Sequence, residues 1–147
     1  MARVRHRVGM AGDINEIFRC LHEPEGLEGW WATTSHGAPE EGQVLDLRFA
    51  DVVTLSFRIE SLVRNARVGL RCVSGPYPWQ DSALWFTLAQ ASDQVWLELL
   101  HENPAASEDD FLYFNTKWPC YLLSLRDLIE QGAGRPYPNE VKIHLGD

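Results

Sequence analysis

His6 and His101 are the side chains of this 147-residue chain best suited by type and place to move a proton. Each falls on the inward parity of a predicted strand, 3–9 and 94–102, and imidazole titrates nearest neutral pH. Such a pair could orient a polar ligand head or act as general acid and base. The plainer reading is two strand-end histidines hydrogen-bonded to backbone. No third ligand can be placed beside them, so no metal site is expected. Cys20, Cys72 and Cys120 are odd in number and far apart, without a CxxC pair, which argues against zinc and disulfides. Cys72 faces inward from a strand and Cys120 lies on a helix, where apolar surroundings raise a thiol's pKa and dull it. Glu98 and Asp46 fall on the wet strand parity, where cross-strand arginines are natural partners. No two carboxylates converge on the apolar face, which disfavours paired-acid hydrolysis. HExxH, GxSxG, GxGxxG and P-loop patterns do not occur, and no cofactor is implied.

The elements that must position these groups follow from hydrophobic period. One strand parity gives Leu45, Leu47, Phe49, Leu55, Phe57, Ile59, Val68, Leu70, Cys72, Leu84, Phe86, Leu88, Val95, Leu97 and Leu99. The other gives Asp46, Arg48, Thr54, Ser56, Arg58, Glu60, Arg67, Arg71, Thr87 and Glu98, with Trp85 and Trp96 as exceptions. One dry and one wet face mark an antiparallel sheet. Its strands are expected at 3–9, 43–50, 53–62, 67–74, 83–89 and 94–102, with Asp51, Asn65 and Asp93 at or beside the turns. The segments 75–80 and 32–42, rich in Gly and Pro, read as loops at the mouth of any pocket.

Asp13, with Glu16 three residues on, predicts a capping box. Ile14, Ile17, Phe18 and Leu21 give that helix a buried side, and Pro24 and Gly26 break it. A second helix is predicted over 107–131, capped by Ser107, with Glu108, Asp109 and Asp110 at the positive end of its dipole. Gly132 ends it, and Pro119 inside predicts a kink. Phe111, Phe114, Trp118, Tyr121, Leu122, Leu125, Leu128 and Ile129 form one apolar stripe along roughly 36 Å. The dry sheet face is expected to cup this stripe. Trp31, Phe57, Leu70, Phe86, Leu97, Leu99, His101, Phe111, Phe114, Trp118, Tyr121 and Leu122 then either line a ligand cavity or fill a core. The space between Trp118 and Phe86 distinguishes the two. The outward Trp85 and Trp96 suggest an interface, a homodimer among the options, or a stacked cover for arginine stems.

The totals fit one domain over 1–147 with an ordinary apolar share of 45%. Formal charge is −8, with nine basic and ten acidic residues in 1–73 against four and eleven in 74–147. The one basic run, Arg3, Arg5 and Arg7, alternates along a strand, so no nucleic-acid footprint appears. No secretory leader and no apolar run of membrane-spanning length is present, which points to the cytoplasm.

The element order resembles the START-like, or SRPBCC, superfamily. Within it the chain is similar to the branch named for the activator of the ninety-kilodalton heat-shock protein's ATPase. The likeness rests on Asp13–Leu21, Leu27-Glu28-Gly29-Trp30-Trp31, Phe86-Thr87-Leu88, Leu97–His101 and Lys117–Gly132. It implies an α+β helix-grip fold: about six antiparallel strands around a long kinked C-terminal helix, two short helices after the first strand, and a cavity between sheet and helix. The first strand pairs with the last in that fold, which makes His6 and His101 neighbours. Members bind lipids, hormones, polyketides and other apolar molecules, and a few are enzymes. Members often carry Gly before the Trp of the last helix, where this chain has Lys117. The leading expectation is binding of a mostly hydrophobic small molecule. A protein-interaction, co-chaperone-like module using Trp85 and Trp96 is the alternative, and a cyclase- or dehydratase-like enzyme the second.

Overall fold

The computed structural model describes residues 1–147. Strand β1 (Ala2–Met10) leads to helices α1 (Ile14–Cys20) and α2 (Pro24–Glu28). Strands β2 (Thr34–His36), β3 (Val44–Phe49), β4 (Val53–Val63), β5 (Arg67–Ser74), β6 (Ala83–Gln90) and β7 (Val95–Asn103) follow, then helix α3 (Glu108–Gln131). All seven strands form one antiparallel sheet in the order β1-β7-β6-β5-β4-β3-β2. This is an α+β helix grip.

The fifteen inward side chains named above are all buried, and the charged parity faces water. Their burial contributes roughly 1.5–3 kcal/mol each, enough to pin the register. The outward arginines of β1 pair across to β7, with Arg3 3.5 Å from Glu102 and Arg7 3.1 Å from Glu98. Asp46 takes no arginine. It accepts a 2.6 Å hydrogen bond from Ser56, its partner in register on β4.

Local expectations need three corrections. Thr34–His36 is a seventh strand at the sheet edge, because Ser35 is its one buried residue and no apolar alternation announces it. Pro24 starts α2 instead of only ending α1, since at the first helical position its missing N–H costs nothing. Asp13 caps α1 by accepting from the Asn15 N–H, but Glu16 turns away to Arg19, so the box is only half made.

Helix α3 is capped as expected. Ser107 and Asp110 form a full capping box, and Gly132 closes the end at φ 85° in the left-handed region. The helix runs through Pro119 and packs most closely along β1. Beyond it the chain doubles back. The Ser124 hydroxyl donates to the Trp30 carbonyl and accepts from the Arg135 N–H, at 2.8 and 2.7 Å. Gly134 permits this approach, because a Cβ there would lie 2.4 Å from the Gly29 carbonyl oxygen.

Candidate functional site

The middle of the grip is filled. Phe86 meets Trp118 edge-on with ring centres 6.3 Å apart, and Trp30 meets Phe86 in the same way at 6.4 Å. The Trp30 indole donates 2.8 Å to the Cys20 carbonyl, which satisfies its one polar atom in the core. Phe57, Leu70, Leu97, Leu99 and Leu122 join this packed body. Phe111 lies partly buried against it.

An open cleft lies to one side, where β3 ends and β4 begins. A cleft of about 170 Å³ is bounded by Trp31, Phe49, Val53, Leu55, Trp79, Tyr113, Phe114, Tyr121 and Tyr137, with Glu140 and Asp147 at its polar end. Each wall has a sequence reason. Trp31 follows α2 and presents its ring to Phe49, Phe57, Trp79, Trp118 and Tyr121 within 6.3 Å. Trp79 enters from the Pro-rich loop between β5 and β6. Phe114 and Tyr121 come from the stripe of α3, and Tyr113 from beside it on the same helix. Tyr137 is held by its N–H to the Trp31 carbonyl at 2.9 Å and by its own carbonyl to the Thr33 hydroxyl at 2.7 Å.

The polar end is organised by Lys117. Its side chain is wholly buried, one helical turn from both Tyr113 and Tyr121. The ammonium lies 3.0 Å from Glu140, donates 2.9 Å to the Val141 carbonyl, and donates to Asp147. Glu140 also takes Lys142 at 2.7 Å. Burial works against the Lys117 charge, but the bonds to Asp147 and Glu140 outweigh it and its pKa is raised. Burial likewise works against Asp147, yet the Lys117 bond and the Ile143 N–H hold its carboxyl well below the usual range. Burial first, then neighbouring Tyr113, and after it the carboxylates Glu140 and Asp147, push the Tyr121 phenol far up, so it stays neutral. The site therefore offers aromatic walls and a tied ionic end.

Of the residues expected to bind a ligand, Trp31, Phe114 and Tyr121 line this cleft. His101 lies behind it, stacked on Trp79 at 5.0 Å and edge-on to Phe114 at 4.8 Å. Its Nδ1 accepts from the Trp118 indole N–H at 2.9 Å. Burial pushes its pKa down to about 3, so the ring is neutral. His6 stands opposite Leu99, one pleat along from the Val4–His101 pair. It is half-buried, and no hydrogen bond joins the two rings.

The outward tryptophans are also occupied. Arg7 lies 5.0 Å over the Trp96 ring, and the Trp85 ring covers Gly69, where a Cβ would meet it at 2.4 Å. Trp96 keeps 42% of its surface exposed. Sequence reasoning missed Trp79, Tyr113, Lys117, Tyr137, Glu140 and Asp147. The available signal was Lys117 itself, a cation set inside an apolar helical stripe.

No family model matches the chain, nor does any curated protein. Solved structures do. The Aha1 dimer from Colwellia psychrerythraea is 27% identical, with a TM-score of 0.80 over 91% of this chain and 100% of that one. DynU16, from the dynemicin biosynthetic locus, superposes at 0.79 with 17% identity over 91% of this chain and 49% of its own. CalU16 from Micromonospora echinospora reaches 0.70 with 19% identity, over 88% and 82%. The fold is START-like.

Proposed function

We propose that the protein binds a small, largely aromatic molecule in the cleft between Trp31, Trp79 and α3. The observation that carries this reading is a cleft of about 170 Å³ walled by aromatic rings and closed by a polar end. A cavity near 150 Å³ is large enough for a single benzene-sized guest. Apolar burial supplies the affinity, and Tyr121 supplies a fixed donor. The fold supports the reading, since a sheet gripping a helix leaves such space at its rim. No helix is long and apolar enough to cross a membrane. The test is a titration with one- and two-ring aromatics, followed by tryptophan fluorescence and thermal shift. Wild type should respond, and Leu55→Trp, which fills the cleft, should not. No response at millimolar ligand would sink the proposal.

A second reading is a co-chaperone-like interaction module or homodimer. It rests on the 27% identity to the Aha1 dimer over that chain's whole length, and on exposed Trp96, which shares the outer sheet face with Trp85 four residues away in register. Trp96→Glu should then lower the mass measured by sedimentation, or abolish stimulation of the ninety-kilodalton heat-shock protein's ATPase. An enzyme of the cyclase or dehydratase kind draws less support, because His101 is buried with its Nδ1 taken by the Trp118 indole and no hydrogen bond joins it to His6.

A further inference from the structure

Four buried polar atoms without hydrogen-bond partners cluster at one end of the sheet's concave face. They are His101 Nε2, both ends of the Asn103 carboxamide, and the Ser82 hydroxyl. All three residues are at least 99% buried. Ser82 and Asn103 stand just past the Ala83–Glu102 pair of β6 and β7, and His101 is one pleat back on the same face. The flanking positions are small. Ala2 pairs with Asn103, and the Cys72 N–H bonds the Ser82 carbonyl at 2.8 Å. Single unpaired atoms also occur at His6, Ser35, Asn65 and Glu140, but here four fall on three neighbouring residues of one buried face, where a polar guest would pair them together.

We infer that His101, Asn103 and Ser82 form a buried subsite for a neutral hydroxyl group on the molecule that the cleft binds, reached past Trp79. The inference rests on the proposed ligand-binding reading. The chemistry follows from the donor and acceptor inventory. Trp118 can only donate, so His101 Nδ1 accepts and its proton sits on Nε2. That Nε2–H needs an oxygen to receive it. The Asn103 carbonyl needs a donor, and its NH₂ another acceptor. A hydroxyl meets the first two of these demands, accepting from His101 and donating to the Asn103 carbonyl. An ionised head does not fit, since Lys117, the buried cation beside the cleft, is already held by Glu140 and Asp147. Trp79 and Phe114 each face the cleft on one side and His101 on the other, so the partly buried loop side chain Trp79 and the buried Phe114 stand between the cleft and the histidine. Tyr77 latches that loop shut by donating 2.7 Å to Asp110 at the start of α3.

The test is calorimetric titration of the whole chain with naphthalene, 2-naphthol and 2-naphthoate, using wild type, Ser82→Ala and Asn103→Leu. Wild type should bind 2-naphthol about tenfold more tightly than naphthalene, the scale of one or two buried hydrogen bonds, and 2-naphthoate no better than naphthalene. Asn103→Leu should remove that preference, leave naphthalene unchanged and raise the melting temperature, because it deletes an orphaned amide. Two-dimensional imidazole NMR of wild type should show the His101 Nε2–H resonance move with 2-naphthol alone. If naphthalene and 2-naphthol bind equally, or the preference survives both substitutions, the subsite inference is overturned while the cleft reading stands. The polar atoms then hold only ordered water. If none of the three probes binds, the cleft reading itself fails.

Discussion

Replacing Lys117 by Met removes the buried cation that ties α3 to the segment after Gly132. Its side chain is 0% exposed, and those of Glu140 and Asp147 are 1% and 3% exposed. Met keeps the apolar stem but leaves two carboxylates buried, with only Lys142 near Glu140. Breaking one partner out of such a group costs about 3–5 kcal/mol. For a chain of this length that is a fall of roughly 10–15 °C in melting temperature. The sign with pH follows from the shifts. Asp147 is depressed, so its contribution is present above its unfolded pKa and fades as pH falls toward the folded value. Lys117 is raised, so its contribution persists until pH climbs past its ordinary value. The deficit of Lys117→Met should therefore be full at pH 7 and shrink toward pH 3, as the stranded Asp147 carboxylate takes up a proton. Urea denaturation followed by circular dichroism, repeated at both pH values, measures it. Adding Glu140→Leu and Asp147→Leu should recover most of the loss. A single variant within about 1 kcal/mol of wild type at pH 7, or a deficit independent of pH, would refute the assignment of this buried ion group.

Three further outcomes follow from the same packing. His101 is held neutral by burial with its pKa down to about 3, so acid between its unfolded value near 6.5 and pH 3 should destabilise the fold by roughly 3–5 kcal/mol more than it does His101→Gln. A flat difference between the two across that window on chemical denaturation removes the claim. Gly69→Ala should displace the Trp85 ring, costing about 1–3 kcal/mol and red-shifting tryptophan emission. An unchanged spectrum means the ring does not cover that glycine. Cys20 and Cys72, both pushed up to about 11 by burial, should stay inert to a thiol reagent at pH 8 until the protein unfolds. Rapid labelling of either in the native state contradicts the packing described here.

What the sequence determined by itself was periodic. Two-residue alternation in five strands fixed which fifteen side chains lie under the helix, since a slip of one residue turns every one of them to water. Three- and four-residue spacing fixed the stripe of α3, and Ser107 and Gly132 fixed its ends. What the tertiary structure decided was everything that depends on distance between remote segments. Phe86 and Trp118 read equally well as cavity walls or as touching neighbours, because side-chain type does not reveal a void. Their edge contact moved the opening to the rim, beside Trp79 and Tyr137. Lys117 stood out in the stripe, but its partners Glu140 and Asp147 lie 23 and 30 residues away, on a segment with no periodic signal of its own. The orphaned Ser82 and Asn103 are ordinary polar residues along the chain. Only the pairing of β6 with β7 sets them side by side with His101, where burial without a partner turns them into a demand for a guest.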